Sequence, residues 1–278
     1  MEENKEKLQE IVEQPVAEAK PKKKKKKGKI PKALYNIIMI LLIAIFAISA
    51  YNVIKIGLKY FNNQKTYKEV QKAASPKGFD GNIDFASLSK INPDIKAWIY
   101  LKDTKIDYPI VQGPDNDKYL NTKFNGEWGT CGTLFADYTT ESAFNQFLTI
   151  VYGHHMKDGT MFNSLKDFKD EEYLKKHKRF ELITPECKYH LDVVAFFNQP
   201  ADSNLYQPNF YSEQQKLNYI DLVNNLAMYR TNEAIAPEDK LVLLSTCAYE
   251  YEGARYMVLG KLKPWKNQNA TKKSTKKK

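Results

Sequence analysis

Residues that bind metals are scarce in this sequence: 278 residues hold four His and three Cys. No Cys-x-x-Cys pair occurs, the neighbours His154 and His155 lack the i, i+4 spacing of helix-borne ligands, and no D-x-D-x-D-G loop is present. Zinc and calcium therefore have no recognisable site, and no cofactor is expected. Internal repeats are also missing, which removes repeat architectures from consideration. The body of the chain lacks net charge as well. The formal charge is +10, but nine Lys lie in residues 20–32 and five in 272–278, against six Glu and two Lys in residues 1–19. Residues 33–271 are left neutral, so a basic groove for nucleic acid is not expected.

One long stretch lacks charge altogether. Residues 33–54, ALYNIIMILLIAIFAISAYNVI, are 22 positions without a formal charge, and a helix needs roughly 20 to cross the bilayer core. The run exceeds the roughly 7 to 15 residues of a signal-peptide core, and Ile48-Ser49-Ala50 is a poor small-x-small cleavage site. An uncleaved signal anchor is expected, in contact with membrane lipid. The preceding PKKKKKKGK sets orientation by the positive-inside rule: N-terminus cytoplasmic, everything after about residue 55 outside. Three cysteines, Cys131, Cys187 and Cys247, are an odd number for an oxidising space, so at least one stays unpaired within the chain.

The chain divides accordingly. Residues 1–32 have no aromatic residue and read as a cytoplasmic, lysine-rich disordered segment. Residues 33–54 follow as the span and 55–78 as a stalk, broken by Ser75-Pro76-Lys77-Gly78. A globular domain is expected over 79–265, and 266–278 form a basic flexible tail. Within the domain, short apolar and β-branched runs recur between turn residues: 97–101, 108–113, 132–137, 147–153, 180–184, 189–197, 240–246 and 255–262. Eight such runs predict a mainly β fold, a largely antiparallel sandwich or closed barrel. Short helices are expected over Asp84 to Lys90 and Asp170 to His177. A longer one is expected over Ser212 to Arg230, opened by a Ser212-x-x-Gln215 capping box, with Leu217, Ile220, Val223 and Ala227 along one face.

The candidate chemistry sits at strand ends. His154 and His155 follow the strand-like FLTIVYG, Cys247 ends LVLLSTC, and Arg255 opens the next apolar run. Adjacent residues on extended chain point to opposite faces, so at most one of the two histidines can face a given cleft. A thiolate is a strong nucleophile, and an imidazole beside it can take a proton and deliver it to a leaving amine. The guanidinium of Arg255 offers five donors in a rigid fork for an oxyanion. The residues alone leave open a plainer reading, in which Cys247 is a small core residue and Arg255 pairs with Glu250 or Glu252.

Leu244-Ser245-Thr246-Cys247 at a strand end, with Arg255 opening a strand further on, resembles the L-x-T-C…R signature of sortases. Tyr152-Gly153-His154-His155 resembles the histidine motif of class B sortases, and the helix before the cysteine strand is similar to a class B feature. The likeness covers roughly residues 79–263; Leu243 departs from it, standing where many sortases have threonine. The resemblance implies an eight-stranded barrel with peripheral helices behind a single transmembrane helix. By it Cys247 is the nucleophile, His154 the general acid and base, and Arg255 the binder of the substrate carbonyl, with Ser245, Thr246 and His155 about the pocket. It further implies cleavage of an Asn-Pro-x-Thr-type sorting signal after Thr. The partners implied are secreted surface proteins bearing that signal and an amine from a peptidoglycan precursor or a pilin lysine. Rival readings are a pilin-polymerising sortase, an envelope cysteine peptidase that hydrolyses, and a membrane-tethered binding module using its aromatic surface.

Overall fold

The computed structural model describes residues 31–265. The expectations for residues 1–30 and for the tail 266–278 lie outside the described residues. The chain divides into two units between Val53 and Ile54. Of the first, residues 32–53 are described as helix; they are the apolar part of α1 (Lys32–Ala74), which is long and apolar enough to cross a membrane.

In the second unit every one of the eight apolar runs becomes a strand. They are β1 (Ile95–Tyr100), β2 (Asp107–Val111), β3 (Leu134–Ala136), β4 (Leu148–Tyr152), β5 (Arg179–Ile183), β6 (Lys188–Pro200), β8 (Leu241–Cys247) and β9 (Ala254–Pro264). A two-residue strand, β7 (Tyr229–Arg230), is added at the edge of β6. The order β5-β1-β2-β3-β4-β8-β9-β6 is closed by pairing of β5 with β6, so eight strands form a barrel. Closure leaves no strand of the eight unpaired on a whole side, and beyond Asp192, where β5 ends, β7 meets β6 at Ala195 and Phe196. Two ladders, β2 with β3 and β4 with β8, are parallel; the other barrel pairs are antiparallel.

Alternation along β8 and β9 divides the apolar side chains into two cores. Val242, Leu244, Tyr256 and Val258 join the larger cluster, with Trp98, Ile110 and Phe180. Leu241, Leu243, Met257 and Leu259 face the other way and are covered by Leu205, Tyr219 and Val223. The cover comes from the β6–α4 connection and from α4 (Glu213–Leu226). Ser212 caps α4 by accepting from the Gln215 N–H at 3.2 Å, and the Gln215 side chain reaches back to the Tyr211 N–H at 2.7 Å. The buried face differs from expectation: Tyr219 and Val223 are fully buried while Leu217 is exposed. The helix also stops at Leu226, because the chain is recruited into β7. The two short helices appear as α2 (Phe85–Ile91) and α3 (Glu171–Lys176), capped by Asp84 and Asp170.

The expected stalk over 55–78 is corrected. From Asn63 to Ala74, α1 packs on the barrel: Asn63, Thr66, Tyr67, Val70 and Ala74 are buried. The spacing of these residues, three and four apart, puts them on one helical face. The Tyr67 hydroxyl donates to the Gly132 carbonyl and lies 3.1 Å from Thr133 Oγ1, and Gln71 donates to the Asp107 carbonyl at 2.9 Å. The globular unit thus begins before residue 79. Tyr67→Ala should therefore cost about 3 kcal/mol of stability by analogy with aromatic truncations in cores. Urea unfolding checks this; an unchanged midpoint would restore the stalk reading.

Candidate active site

Cys247 and Arg255 occupy directly paired positions of the antiparallel β8–β9 ladder. Opposed residues in such a ladder project from the same face with Cβ atoms about 5 Å apart, so thiol and guanidinium emerge side by side. The ladder keeps register from Leu241–Lys261 to Cys247–Arg255. By alternation, Ser245 and Cys247 continue the face of Leu241 and Leu243, the outer one that α4 covers further along.

The histidines enter from β4, which runs parallel to β8 and pairs Tyr152 with Ser245. One step on, the Gly153 N–H donates to the Ser245 carbonyl at 3.0 Å. Only glycine fits there, since a Cβ would stand 2.3 Å from Leu134 Cδ2 and 2.6 Å from Phe162 Cδ2. His154 then turns into the cleft, its Nε2 at 2.7 Å from the Leu120 carbonyl. A carbonyl only accepts, so Nε2 carries the proton, and in the neutral ring Nδ1 holds the free lone pair.

A cleft of about 360 Å³ gathers His154, Cys247 and Arg255, together with Tyr152, Ser245 and Thr246. Asn116 and Leu120 wall it from the β2–β3 connection, and Ala201 and Tyr206 from the β6–α4 connection. His155 is placed elsewhere. Its Nδ1 donates to the Cys247 carbonyl at 2.7 Å and its ring packs against Tyr249 and Tyr256, so it ties down the backbone of the cysteine without lining the cleft. Thr246 borders the cleft but is 2% exposed, and its Oγ1 has no partner among the described residues. Leu243, the departure from the family pattern, is fully buried in the outer core and does not line the cleft.

The cleft walls are held by hydrogen bonds. Ser245 Oγ lies 2.6 Å from the Tyr206 hydroxyl, and the Tyr206 ring stacks on Tyr152 with centroids 6.0 Å apart. Burial pushes the Tyr206 phenol up to about 12, although the Ser245 hydrogen bond and the charge of Arg255 pull it back. It therefore remains a neutral hydroxyl near pH 7. Behind Tyr152 stands buried Asp137, which accepts from the Tyr152 hydroxyl and from Asn116 Nδ2, both at 3.0 Å. Burial raises the Asp137 pKa, but hydrogen bonds from Thr139, Asn116 and Tyr152 outweigh it and hold the carboxyl below its ordinary value. All three cysteines are free; burial pushes the Cys131 thiol up to about 12, which leaves it a poor nucleophile. Among the described residues no group of three or more His, Cys, Asp or Glu is placed to hold a metal.

A cysteine beside an arginine and a histidine on the outer face of a closed eight-stranded barrel defines a class of thiol acyl-transfer site. A family model for the sortase domain matches residues 99–263. The Sortase B of Listeria monocytogenes is 30% identical over 245 residues, covering 84% of this chain and 98% of that protein. The Sortase B of Staphylococcus aureus is 30% identical over 237 residues, covering 83% and 97%. Among solved structures, a Bacillus anthracis protein described as similar to sortase B matches with a TM-score of 0.67 at 33% identity, over 74% of this chain and 98% of that one. A Staphylococcus aureus sortase B–substrate complex matches at 0.62 and 30%, over 73% and 92%. The chain belongs to the sortase family, class B, and is a cysteine transpeptidase.

The lowered pKa of Asp137 carries a sign. A carboxyl held below its unfolded value, about 3.9, adds stability that is full above that pH and is lost as pH falls through the folded value. Asp137→Asn should therefore be less stable than wild type at pH 7, with the gap closing below about pH 4. Urea unfolding from pH 3 to 7 checks it; a gap independent of pH would mean that the charge contributes nothing.

Proposed function

We propose that the enzyme cleaves an Asn-Pro-x-Thr-type sorting signal after Thr and joins the new acyl end to an amine of a cell-wall precursor. The observation that carries this reading is the convergence of Cys247, His154 and Arg255 in one cleft, delivered by β8, the end of β4 and β9. The similar Staphylococcus aureus sortase B structure is a substrate complex, which supports a substrate-binding cleft on the same fold here.

The Cys247 thiol passes its proton to the free Nδ1 of His154, the resulting thiolate attacks the Thr carbonyl carbon, and the Arg255 guanidinium holds the oxygen as it becomes an oxyanion. The C–N bond to the next residue breaks as His154 gives its proton to the leaving amine, leaving a thioester on Cys247. An incoming amine attacks the thioester carbonyl, His154 takes the proton it sheds, and the thiolate leaves. The substrate partners are secreted surface proteins whose C-terminal sorting signals reach the cleft. With residues 33–54 as an anchor and the lysine cluster inside, the N-terminus is cytoplasmic and the barrel faces outward. Tethering enzyme and substrates to one membrane raises their effective concentration without added contacts.

Intact-mass analysis of the protein with Asn-Pro-x-Thr peptides tests the reading. A mass increase equal to the peptide truncated after Thr is expected, absent in Cys247→Ala and chased by added amine. Release only as free acid would make the enzyme a peptidase, and no adduct across varied peptides would refute the substrate class. Arg255→Lys keeps the charge and loses the fork, so kcat/KM should fall about 10²-fold or more. Alkylation of Cys247 by iodoacetamide should stay near the wild-type rate.

A further inference from the structure

The barrel covers only part of α1, and the cover ends at an exposed tryptophan. The buried stripe of the helix runs back from Ala74 through Val70, Tyr67 and Asn63 to the half-buried Tyr60. The next position up the same stripe, Ile56, lies one turn earlier and is 53% exposed. Ile54, Leu58 and Phe61 are exposed around the same turns. At this edge stands Trp128, 66% exposed, on the β2–β3 connection, with Lys59 Nζ over its ring at 5.9 Å from the centroid. The loop is fixed beside the helix by Lys123 Nζ donating to Thr66 Oγ1 at 2.9 Å and Asn63 Nδ2 to Thr130 Oγ1 at 3.5 Å.

We propose that this edge, Trp128 with the uncovered turn Ile54 to Lys59, sits in the headgroup layer of a lipid bilayer. The proposal rests on reading residues 33–54 as a membrane span. Ile54 is the last residue of that apolar run. Lys59 is five residues further along an uninterrupted helix, about 7.5 Å at roughly 1.5 Å per residue. The headgroup region is about 5 to 8 Å deep on each side of the hydrocarbon, which matches the length of the turn from Ile54 to Lys59, and Lys59 Nζ stands over the Trp128 ring. The chemistry suits that depth. An indole is at home where apolar and wet layers meet, and Lys55 and Lys59 can lay their stems along lipid while their ammonium groups stay in water. A soluble edge would gain nothing from leaving Ile54, Ile56, Leu58, Phe61 and Trp128 uncovered together.

The test uses the full chain reconstituted in phosphatidylcholine–phosphatidylglycerol vesicles carrying bromine near the glycerol end of the acyl chains. The protein has three tryptophans, and the other two, Trp98 and Trp265, remain in Trp128→Phe. The fluorescence difference between wild type and variant isolates Trp128. That difference should be quenched at least twofold by the shallow bromines and less by bromines near the bilayer centre. Protein that floats with the vesicles while the Trp128 signal stays unquenched would overturn the contact and leave the span intact. Protein that fails to float would overturn the span reading, and the contact with it.

Discussion

Seven consecutive rungs, Leu241 with Lys261 through Cys247 with Arg255, set β8 against β9. A slip of one residue would turn every side chain of β8 to the other face, sending Cys247 into the barrel and Thr246 out. The β6–β9 ladder carries a register shift between Val193 and Ala195, whereas none is present between β8 and β9. The register is enforced by burial on both faces: Val242 and Leu244 fill the barrel while Leu241 and Leu243 fill the outer core. Neither set tolerates the other's place. The position of the thiol relative to the guanidinium is thus a consequence of apolar packing several residues away.

The outer core has a second effect. Covering Leu243, Met257 and Leu259 requires α4 and the segment leading to it, and that segment carries Tyr206 to the cleft, where its hydroxyl meets Ser245. The wall of the cleft is therefore the end of a packed layer. On the opposite side, the β2–β3 connection supplies the Leu120 carbonyl that fixes the His154 ring, and the same connection carries the anchored Trp128 loop. Loops held by a rigid scaffold are where sites are commonly built, and here both loops are tied down by groups outside the cleft.

Sequence showed the strands because β-branched, alternating runs bounded by turn residues have few other uses. It singled out Cys247, His154 and Arg255, which the fold gathers in one cleft, because each stands at the end of such a run. What it hid is physical in origin. The parallel pairing of β4 with β8 joins strands nearly 90 residues apart, and no local pattern encodes it. Leu120 contributes a backbone carbonyl, which every residue type possesses. Tyr206 and Asn116 sit on connections whose course only the fold decides. His155, one step from His154, was legible as a histidine and illegible as a clamp on the Cys247 carbonyl, because its role depends on where β8 ends. Helix α1 misled for a related reason: charged residues on its solvent face mask a buried stripe that only the barrel's presence explains.

Acyl transfer to an amine in the presence of water rewards a site whose donors are already in place, since dipoles that must reorganise during the reaction give back much of what they stabilise. The polar groups around the cleft satisfy that demand in pairs. Asp137 holds Tyr152 and Asn116, Tyr206 holds Ser245, the Leu120 carbonyl holds His154, and His155 holds the Cys247 backbone. Arg255 is the exception: its Nη1 donates to the Gly253 and Ala254 carbonyls at 3.2 and 3.0 Å, the two residues just before it at the start of β9. Neutral acceptors on the same short stretch bind a guanidinium more weakly than a carboxylate would. In the proposed reaction, a substrate carbonyl that gathers negative charge would draw Arg255 away from them, and its hold would strengthen as the oxyanion forms.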